Sequence, residues 1–288
     1  MNRHFARKFL LPVAALFSVC APLTAQDVAP KDEPVPPVTV QQKAPMPLPP
    51  TDHPALFLVG DSIMHTGTGD GSTGPWGWGA EIIPMFDPAK IHVYNEGRGG
   101  RSSRGYIQEG AWQLILDRLQ PGDWVILQFG HNDAANSANY PDRTTLPGDG
   151  DDTQDIDSPV THEKETIHSY GWYMREYVRE ARAKGASVII CSPPPRNTWA
   201  DGKVKRGLDG YAGWAAEAAK QSGAFFIDLN TISADKYDAL GQEAVLPLFN
   251  DSQHSHKSGA HLNAESVATG IRQLKDCPLA NDFANSTP

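Results

Sequence analysis

Cysteine is scarce in this chain of 288 residues, basic residues are outnumbered by acidic ones (25 against 34), and the glycine signatures of nucleotide sites are missing. Only Cys20, Cys191 and Cys277 occur, and an exported chain that has shed its leader keeps the last two. Two distant cysteines in a compartment that permits disulfides leave their pairing open. The formal net charge is -9, with no Lys/Arg block beyond the extreme N-terminus; nucleic acid, whose phosphates such a surface repels, is not an expected partner. Neither a phosphate loop nor a dinucleotide fingerprint is present, and no internal repeat is visible. With 40% hydrophobic and 20% charged residues, the composition is otherwise that of a globular protein able to bury a sizeable core.

What is there begins with an export pattern. Basic Arg3, Arg7 and Lys8 precede an apolar stretch from Phe9 to Val19 and small residues that allow cleavage after Ala25, so residues 1–25 read as a signal peptide. A buried first helix is the alternative; Pro12 and the short apolar length argue against a permanent anchor. Ser18-Val19-Cys20 is a poor lipoprotein signal. Residues 26–53 hold Pro34, Pro36, Pro37, Pro45, Pro47, Pro49 and Pro50 and few large apolar side chains, which reads as an extended, polyproline-like spacer. The expected product is secreted or periplasmic, monomeric, and free of the membrane once the signal is removed.

From Pro54 onward, strand-length apolar runs alternate with helical patterns. The runs are Ala55 to Val59, Ile91 to Tyr94, Trp124 to Phe129, Ser187 to Cys191 and Ala224 to Ile227. Helical stretches are expected from Gly105 to Leu119, Thr166 to Lys184, Tyr211 to Ser222 and Ala260 to Lys275, with Gly185 and Gly223 placed to stop two of them. Runs apolar on both faces separated by helices predict a parallel sheet covered on both sides. The expected architecture is an α/β fold, a three-layer α/β/α sandwich with a five-stranded parallel sheet, over residues 54–280, followed by a tail at 281–288.

Ligands bind beyond the carboxyl ends of such strands, and the chemistry-bearing residues fall there. Ser62, in Gly60-Asp61-Ser62, follows the first run; Gly99-Gly100-Arg101-Ser102 follows the second; Gly130-His131-Asn132-Asp133 follows the third. A serine hydroxyl attacks a carbonyl only if a base takes its proton, and histidine, with an ordinary pKa of about 6.5, suits that task. His254 is favoured among the 10 histidines because Asp251 precedes it by three residues, a spacing that brings the carboxylate to the far ring nitrogen. An Asp cap beside an incidental surface histidine is the competing reading, and His256 is a rival without a carboxylate at that offset. The backbone N–H groups of Ser62 and of a glycine at 99–100, with the amide of Asn132, are candidate oxyanion donors; plain turns are the alternative. Ser62 is not in a nucleophile elbow, since Gly60-Asp61-Ser62-Ile63-Met64 has no glycine two after the serine. A metal site at His254, His256 and His261 lacks further ligands.

These segments resemble the four ordered blocks of the SGNH (GDSL-type) hydrolase family, and within it the rhamnogalacturonan acetylesterase branch. The closer likeness lies in Pro75-Trp76-Gly77-Trp78-Gly79, Gly100-Arg101-Ser102-Ser103, His168 to Arg175, Lys184-Gly185-Ala186, Ser192 to Trp199 and Gly259-Ala260, and it covers Leu56 to about Leu274. The resemblance implies the flavodoxin-like fold of that family. It implies Ser62 as nucleophile, Gly100 and Asn132 as oxyanion partners, Asp251 as orienting acid and His254 as base. It also implies removal of acetyl groups from pectic polysaccharide with neither metal nor organic cofactor. Gln253 departs from the threonine usual before the histidine, and His256-Lys257 is a second departure.

Other residues suggest how an acetylated polysaccharide or oligosaccharide is held. Arg101, Arg104 and Arg196 suit uronate carboxylates, with structural ion pairs as the alternative. Trp76, Trp78, Trp172 and Trp199 offer faces to sugars or to the core; Trp172, Arg101 and Arg196 are taken as the substrate candidates. The polar segment from Ala134 to Glu165 reads as a solvated surface loop, its carboxylates fitting no EF-hand spacing. Competing functions are an esterase of the same fold acting on acetylated xylan or a small lipid, and a non-catalytic carbohydrate-binding protein. The absence of an aliphatic lid counts against a lipase.

Overall fold

The computed structural model describes residues 53–72, 74–134, 140–158, 162–207 and 210–284, all within one compact unit, Val40–Pro288. The signal expected over 1–25, the spacer over 26–53 apart from its last residue, and the end of the tail, 285–288, lie outside the described residues. In chain order the elements are β1 (Ala55–Gly60), α1 (Trp78–Ile82), β2 (His92–Asn95), α2 (Ser103–Gln108), α3 (Ala111–Leu116), β3 (Trp124–Gln128), β4 (Thr153–Asp157), β5 (Lys164–His168) and α4 (Tyr170–Ala183). There follow β6 (Ser187–Cys191), β7 (Trp199–Ala200), β8 (Lys203–Val204), α5 (Tyr211–Ser222), β9 (Phe225–Ile227), α6 (Leu229–Leu240), α7 (Gln242–Val245) and α8 (Lys257–Gln273).

Strands β1 and β3 are buried along their whole length, because alternate side chains enter two separate apolar layers. Phe57, Val59, Val125, Leu127, Val188 and Ile190 pack with Tyr106, Trp112, Tyr177 and Ala215 of α2 to α5. Leu56, Leu58, Ile126, Ile189 and Ile227 face the other way, onto Trp78 and Ile82 of α1 and Val267 and Ile271 of α8. The five expected strands form one sheet in the order β2-β1-β3-β6-β9, parallel throughout. That order reverses direction at β1/β3, the switch point beside which doubly wound folds bind ligands. Among the described residues no helix is long and apolar enough to cross a membrane.

Several expected elements shift. The helix expected from Gly105 to Leu119 is two helices, parted where Gly110 takes a left-handed φ of 76°. The helix expected from Thr166 begins only at Tyr170, since the Ser169 hydroxyl caps it by accepting the Trp172 N–H. Residues 166–168 instead belong to β5, which pairs antiparallel with β4. The segment expected as a surface loop, 134–165, therefore carries a hairpin, favoured by β-branched Thr153, Ile156, Thr166 and buried Ile167. Helix α6 was not anticipated; Asp228 caps it by accepting the Thr231 N–H at 3.1 Å. Cys191 and Cys277 are free thiols within one apolar layer.

Arg104, read as a substrate candidate, is instead the anchor of the hairpin. Its side chain is fully buried; Nε and Nη2 donate to the two carboxylate oxygens of Glu165 on β5, at 2.7 and 2.9 Å. Its Nη1 donates to the carbonyls of Pro141 (3.0 Å) and Thr144 (2.9 Å). Removing one partner of a buried pair strands the other, so Arg104→Ala is expected to cost about 3–5 kcal/mol. Urea denaturation checks this; a loss below 1 kcal/mol would show that the hairpin does not need its anchor.

Candidate functional site

The chain turns as soon as β1 ends. The Asp61 carbonyl accepts the N–H groups of Met64 (3.2 Å) and His65 (3.0 Å), and its carboxylate accepts the Ile63 N–H at 2.9 Å. Gly60 must lack a side chain, since a Cβ there would stand 2.5 Å from the Gln128 carbonyl of β3. Half-buried Ser62 is thereby held at the rim of the sheet, beside the end of β3.

The structure brings Ser62, His254 and Asp251 together from opposite ends of the chain. The His254 Nδ1–H donates to Asp251 Oδ2 at 2.8 Å. A carboxylate only accepts, so Nδ1 carries the ring proton and Nε2 is left as an acceptor for the Ser62 hydroxyl, 3.0 Å away. Asp251 Oδ1 also accepts the N–H groups of His254 (2.7 Å) and Gln253 (2.6 Å). Partial burial pushes the Asp251 carboxyl up, but these N–H groups and the imidazole outweigh it and hold it below its ordinary value. Neighbouring backbone fixes the turn: Asn197 N–H donates to Ser252 O (2.8 Å), and Trp76 N–H to Ser255 O (2.8 Å).

Two further loops close on the same spot. The Arg98 N–H donates to Gly60 O at 2.9 Å, drawing the segment after β2 against the Ser62 turn. Buried Asn132 donates one amide hydrogen to Arg101 O at 3.1 Å, leaving the other. Neither Ser62 N–H nor Gly100 N–H donates to an acceptor among the described residues. These groups can serve an oxyanion without first breaking a bond to any of the described residues.

Beneath them lies a set of buried polar side chains that sequence reading had not identified as a network. Asp133 accepts the Ser103 N–H (3.0 Å), the Ser103 hydroxyl and the Gly130 N–H (3.1 Å), tying the loop after β2 to that after β3. Loss of solvation drives its carboxyl up to about 7; the Ser103 and Gly130 donors oppose the rise, and the Asp61 charge adds to it. His131 donates Nε2–H to Pro194 O (3.1 Å), while its Nδ1 faces Asp61 Oδ2 at 3.6 Å without a hydrogen bond.

The remaining candidates separate clearly. Arg101 gives its Nε–H to Glu109 at 2.6 Å. Among the described residues Arg196 meets only neutral acceptors, Gln253 Oε1 at 3.3 Å and His131 O at 3.5 Å. Trp172 stacks on His168 with ring centroids 3.7 Å apart and stays half-buried. Trp78 is core, its indole N–H bonded to Gln128; Trp76 and Trp199 are half-buried, each bonded to a side-chain oxygen. His261 faces Glu81 rather than His254, and among the described residues no group of three or more His, Cys, Asp or Glu is placed to hold a metal.

The five-stranded parallel sheet, ordered β2-β1-β3-β6-β9 between two helical layers, is a flavodoxin-like α/β fold, and the comparisons with known proteins make the chain a carboxylic ester hydrolase. The model of the GDSL-like Lipase/Acylhydrolase family matches residues 58–266. A rhamnogalacturonan acetylesterase of Emericella nidulans is 33% identical over 234 residues, covering 79% of this chain and 90% of that protein. A probable rhamnogalacturonan acetylesterase of Bacillus subtilis is 33% identical over 225 residues, 76% and 93% of the two chains. Among solved structures, the YxiM protein of Bacillus subtilis superposes with a TM-score of 0.63 at 24% identity, over 78% of this chain but only 57% of that longer one. An acetylxylan esterase of Geobacillus stearothermophilus gives 0.54 at 20% identity, over 77% and 95%. The chain belongs to the GDSL, or SGNH, hydrolase family.

The raised Asp133 carboxyl makes a pH prediction. An unfolded chain's aspartate ionises near about 4, whereas in the fold the value is about 7, so the unfolded state loses this proton first. The contribution of Asp133 to stability therefore falls as pH rises from about 4 to about 7 and is level above. Urea titrations across that range are expected to show Asp133→Asn, which has no proton to lose, declining less with pH than the wild type; parallel profiles would count against it.

Proposed function

We propose that the protein is an acetylesterase that removes acetyl groups from a plant cell-wall polysaccharide, with acetylated rhamnogalacturonan as the favoured substrate. The observation that carries the reading is the Ser62 hydroxyl at 3.0 Å from an imidazole nitrogen that must be an acceptor. The names of the relatives at 33% identity support acetyl as the acyl group and the pectic chain as its carrier.

In this reading Ser62 Oγ attacks the acetyl carbonyl carbon while its proton passes to His254 Nε2, and Asp251 stabilises the imidazolium that forms. The carbonyl π-bond electrons move to oxygen, where the N–H groups of Ser62 and Gly100 and the Asn132 amide meet the charge. Collapse of the tetrahedral species breaks the bond to the sugar oxygen, which leaves with the proton from His254. Water, deprotonated by the same imidazole, then attacks acetyl-Ser62; acetate departs and the serine regains its proton. No cofactor is called for. Arg196, which no carboxylate among the described residues holds, and the half-buried Trp172 are proposed to contact the sugar. The N-terminal pattern of basic, apolar and small residues supports a secreted or periplasmic enzyme.

Acetate release from acetylated rhamnogalacturonan, acetylated xylan and a long-chain acyl ester tests the assignment. Rhamnogalacturonan is expected to be the best substrate. Preference for xylan would move the enzyme to the alternative polysaccharide, equal turnover of the long-chain ester would favour a general esterase, and binding without turnover of any acetyl ester would leave a carbohydrate-binding protein. Ser62→Ala is expected to lower kcat by about 10⁴-fold or more with polysaccharide binding retained. Asp251→Asn is expected to lose less than His254→Ala, because a base remains; equal losses would undo that division of labour.

A further inference from the structure

We infer that Arg143, on the insert between β3 and β4, is a specificity-determining residue that pairs with a carboxylate on the sugar being deacetylated, so that the site selects acetylated uronosyl residues. The inference rests on the acetylesterase reading and adds to it a charge requirement and the side chain that imposes it.

Arginines of the loop after β2, of α2 and of the insert differ in what holds them. Arg98 and Arg101 share Glu109, at 3.2 and 2.6 Å, and Arg104 is held by Glu165 and two carbonyls. Arg143 makes no side-chain hydrogen bond among the described residues, and its Nε is buried without a partner. The nearest anionic atom is Oδ2 of its half-exposed neighbour Asp142, 3.8 Å from Nε. A guanidinium is costly to leave without acceptors, and a bidentate carboxylate is the partner whose geometry it matches.

Its location ties this vacancy to the chemistry. A Cβ built on Gly100 would lie 3.2 Å from Nη2, 3.4 Å from Cζ and 3.7 Å from Nη1 of Arg143. The guanidinium thus rests against the loop whose free N–H is the proposed oxyanion donor, and its other flank covers the Tyr140 ring, 4.7 Å from the centroid. Gly100 has a left-handed φ of 74° and no side chain to push the guanidinium away. The side chain remains about a quarter exposed, within reach of solvent. The backbone around Arg143 is also held in place: Arg104 binds the carbonyls of Pro141 and Thr144, on either side of it in the chain. A pre-positioned donor loses less freedom when its ligand arrives.

The overall charge gives the cation a purpose. A protein of net charge -9 repels a polyuronate chain, and a cation against Gly100 whose one carboxylate contact, to Asp142, is as long as 3.8 Å offsets that where the ester must dock. A neutral acetylated sugar offers Arg143 only uncharged acceptors, without the bidentate match of a carboxylate.

The test uses one sugar in two charge states: an acetylated galacturonate oligosaccharide with free carboxylates, and the same compound with them methyl-esterified, with acetate release measured on the full enzyme. The wild type is expected to prefer the free acid by about ten-fold in kcat/KM, mostly through KM. Arg143→Gln is expected to bring that ratio close to one, whereas Arg179→Gln, on the exposed face of α4, keeps the wild-type ratio. A wild type that prefers the free acid, with Arg143→Gln retaining that preference, would overturn the inference and leave the acetylesterase reading standing. So would an equal fall in kcat on both compounds, which would put Arg143 to work on the oxyanion instead. If the wild type releases acetate from neither compound nor from acetylated rhamnogalacturonan, the functional reading fails and the inference with it.

Discussion

Parallel pairing of β1 with β3, from Leu56 opposite Trp124 to Gly60 opposite Gln128, is the contact on which the rest of the site depends. It puts the end of one strand beside the end of the other, so that Ser62 and Asn132, 70 positions apart in the chain, emerge on the same rim. The strand order reverses there, and the connections leave to opposite faces of the sheet. A side chain at position 60 would force the two strands apart, because the Gln128 carbonyl occupies that volume. The active geometry therefore begins as a backbone constraint, before any catalytic side chain is considered.

Around that junction the protein buries polar groups at a cost that apolar packing must offset. Asp61, Asp133, His131, Ser103 and Gln128 are all within 5% of complete burial. Most of their contacts cross between segments rather than staying local: Ser103 to Asp133, Trp78 to Gln128, His131 to Pro194. Each such bond is worth little net, but losing one leaves a buried partner unsatisfied, which is far more costly. The network thereby selects one arrangement of the four loops. The raised Asp133 carboxyl records what that selection costs, since the negative charge it would carry at neutral pH is partly refused by its surroundings.

The insert between β3 and α4 stands outside this frame yet reaches into it. A hairpin of two five-residue strands has little core of its own, and Arg104 supplies the attachment, gathering Glu165, Pro141 and Thr144 on one buried guanidinium. The same attachment steadies Arg143 against Gly100. A structural ion pair and the arginine proposed to recognise the substrate are thus linked through one residue.

Legibility in the sequence followed the range of the interactions. Where the signal was local, it could be read: apolar runs marked the five strands, Gly223 marked the end of α5, and the three-residue step from Asp251 to His254 foretold a carboxylate on the far ring nitrogen. The Ser102 and Ser169 caps were equally local, and heeding them would have placed the starts of α2 and α4 correctly. The pairing of Ser62 with His254 across 192 positions was read from a serine's need for a base together with the Asp251 spacing, and the family resemblance implied the same two residues. Which arginine is held closely by a carboxylate was beyond the sequence altogether. Arg98, Arg101, Arg104, Arg143 and Arg196 are alike as letters, and only the folded chain placed Glu109 and Glu165 within 3.2 Å of the first three and left Arg143 with a carboxylate no nearer than 3.8 Å among the described residues. Charge type and local periodicity are properties of the chain alone, whereas neutralisation depends on which distant carboxylate the fold brings within a few ångströms, and the tertiary structure alone determines that.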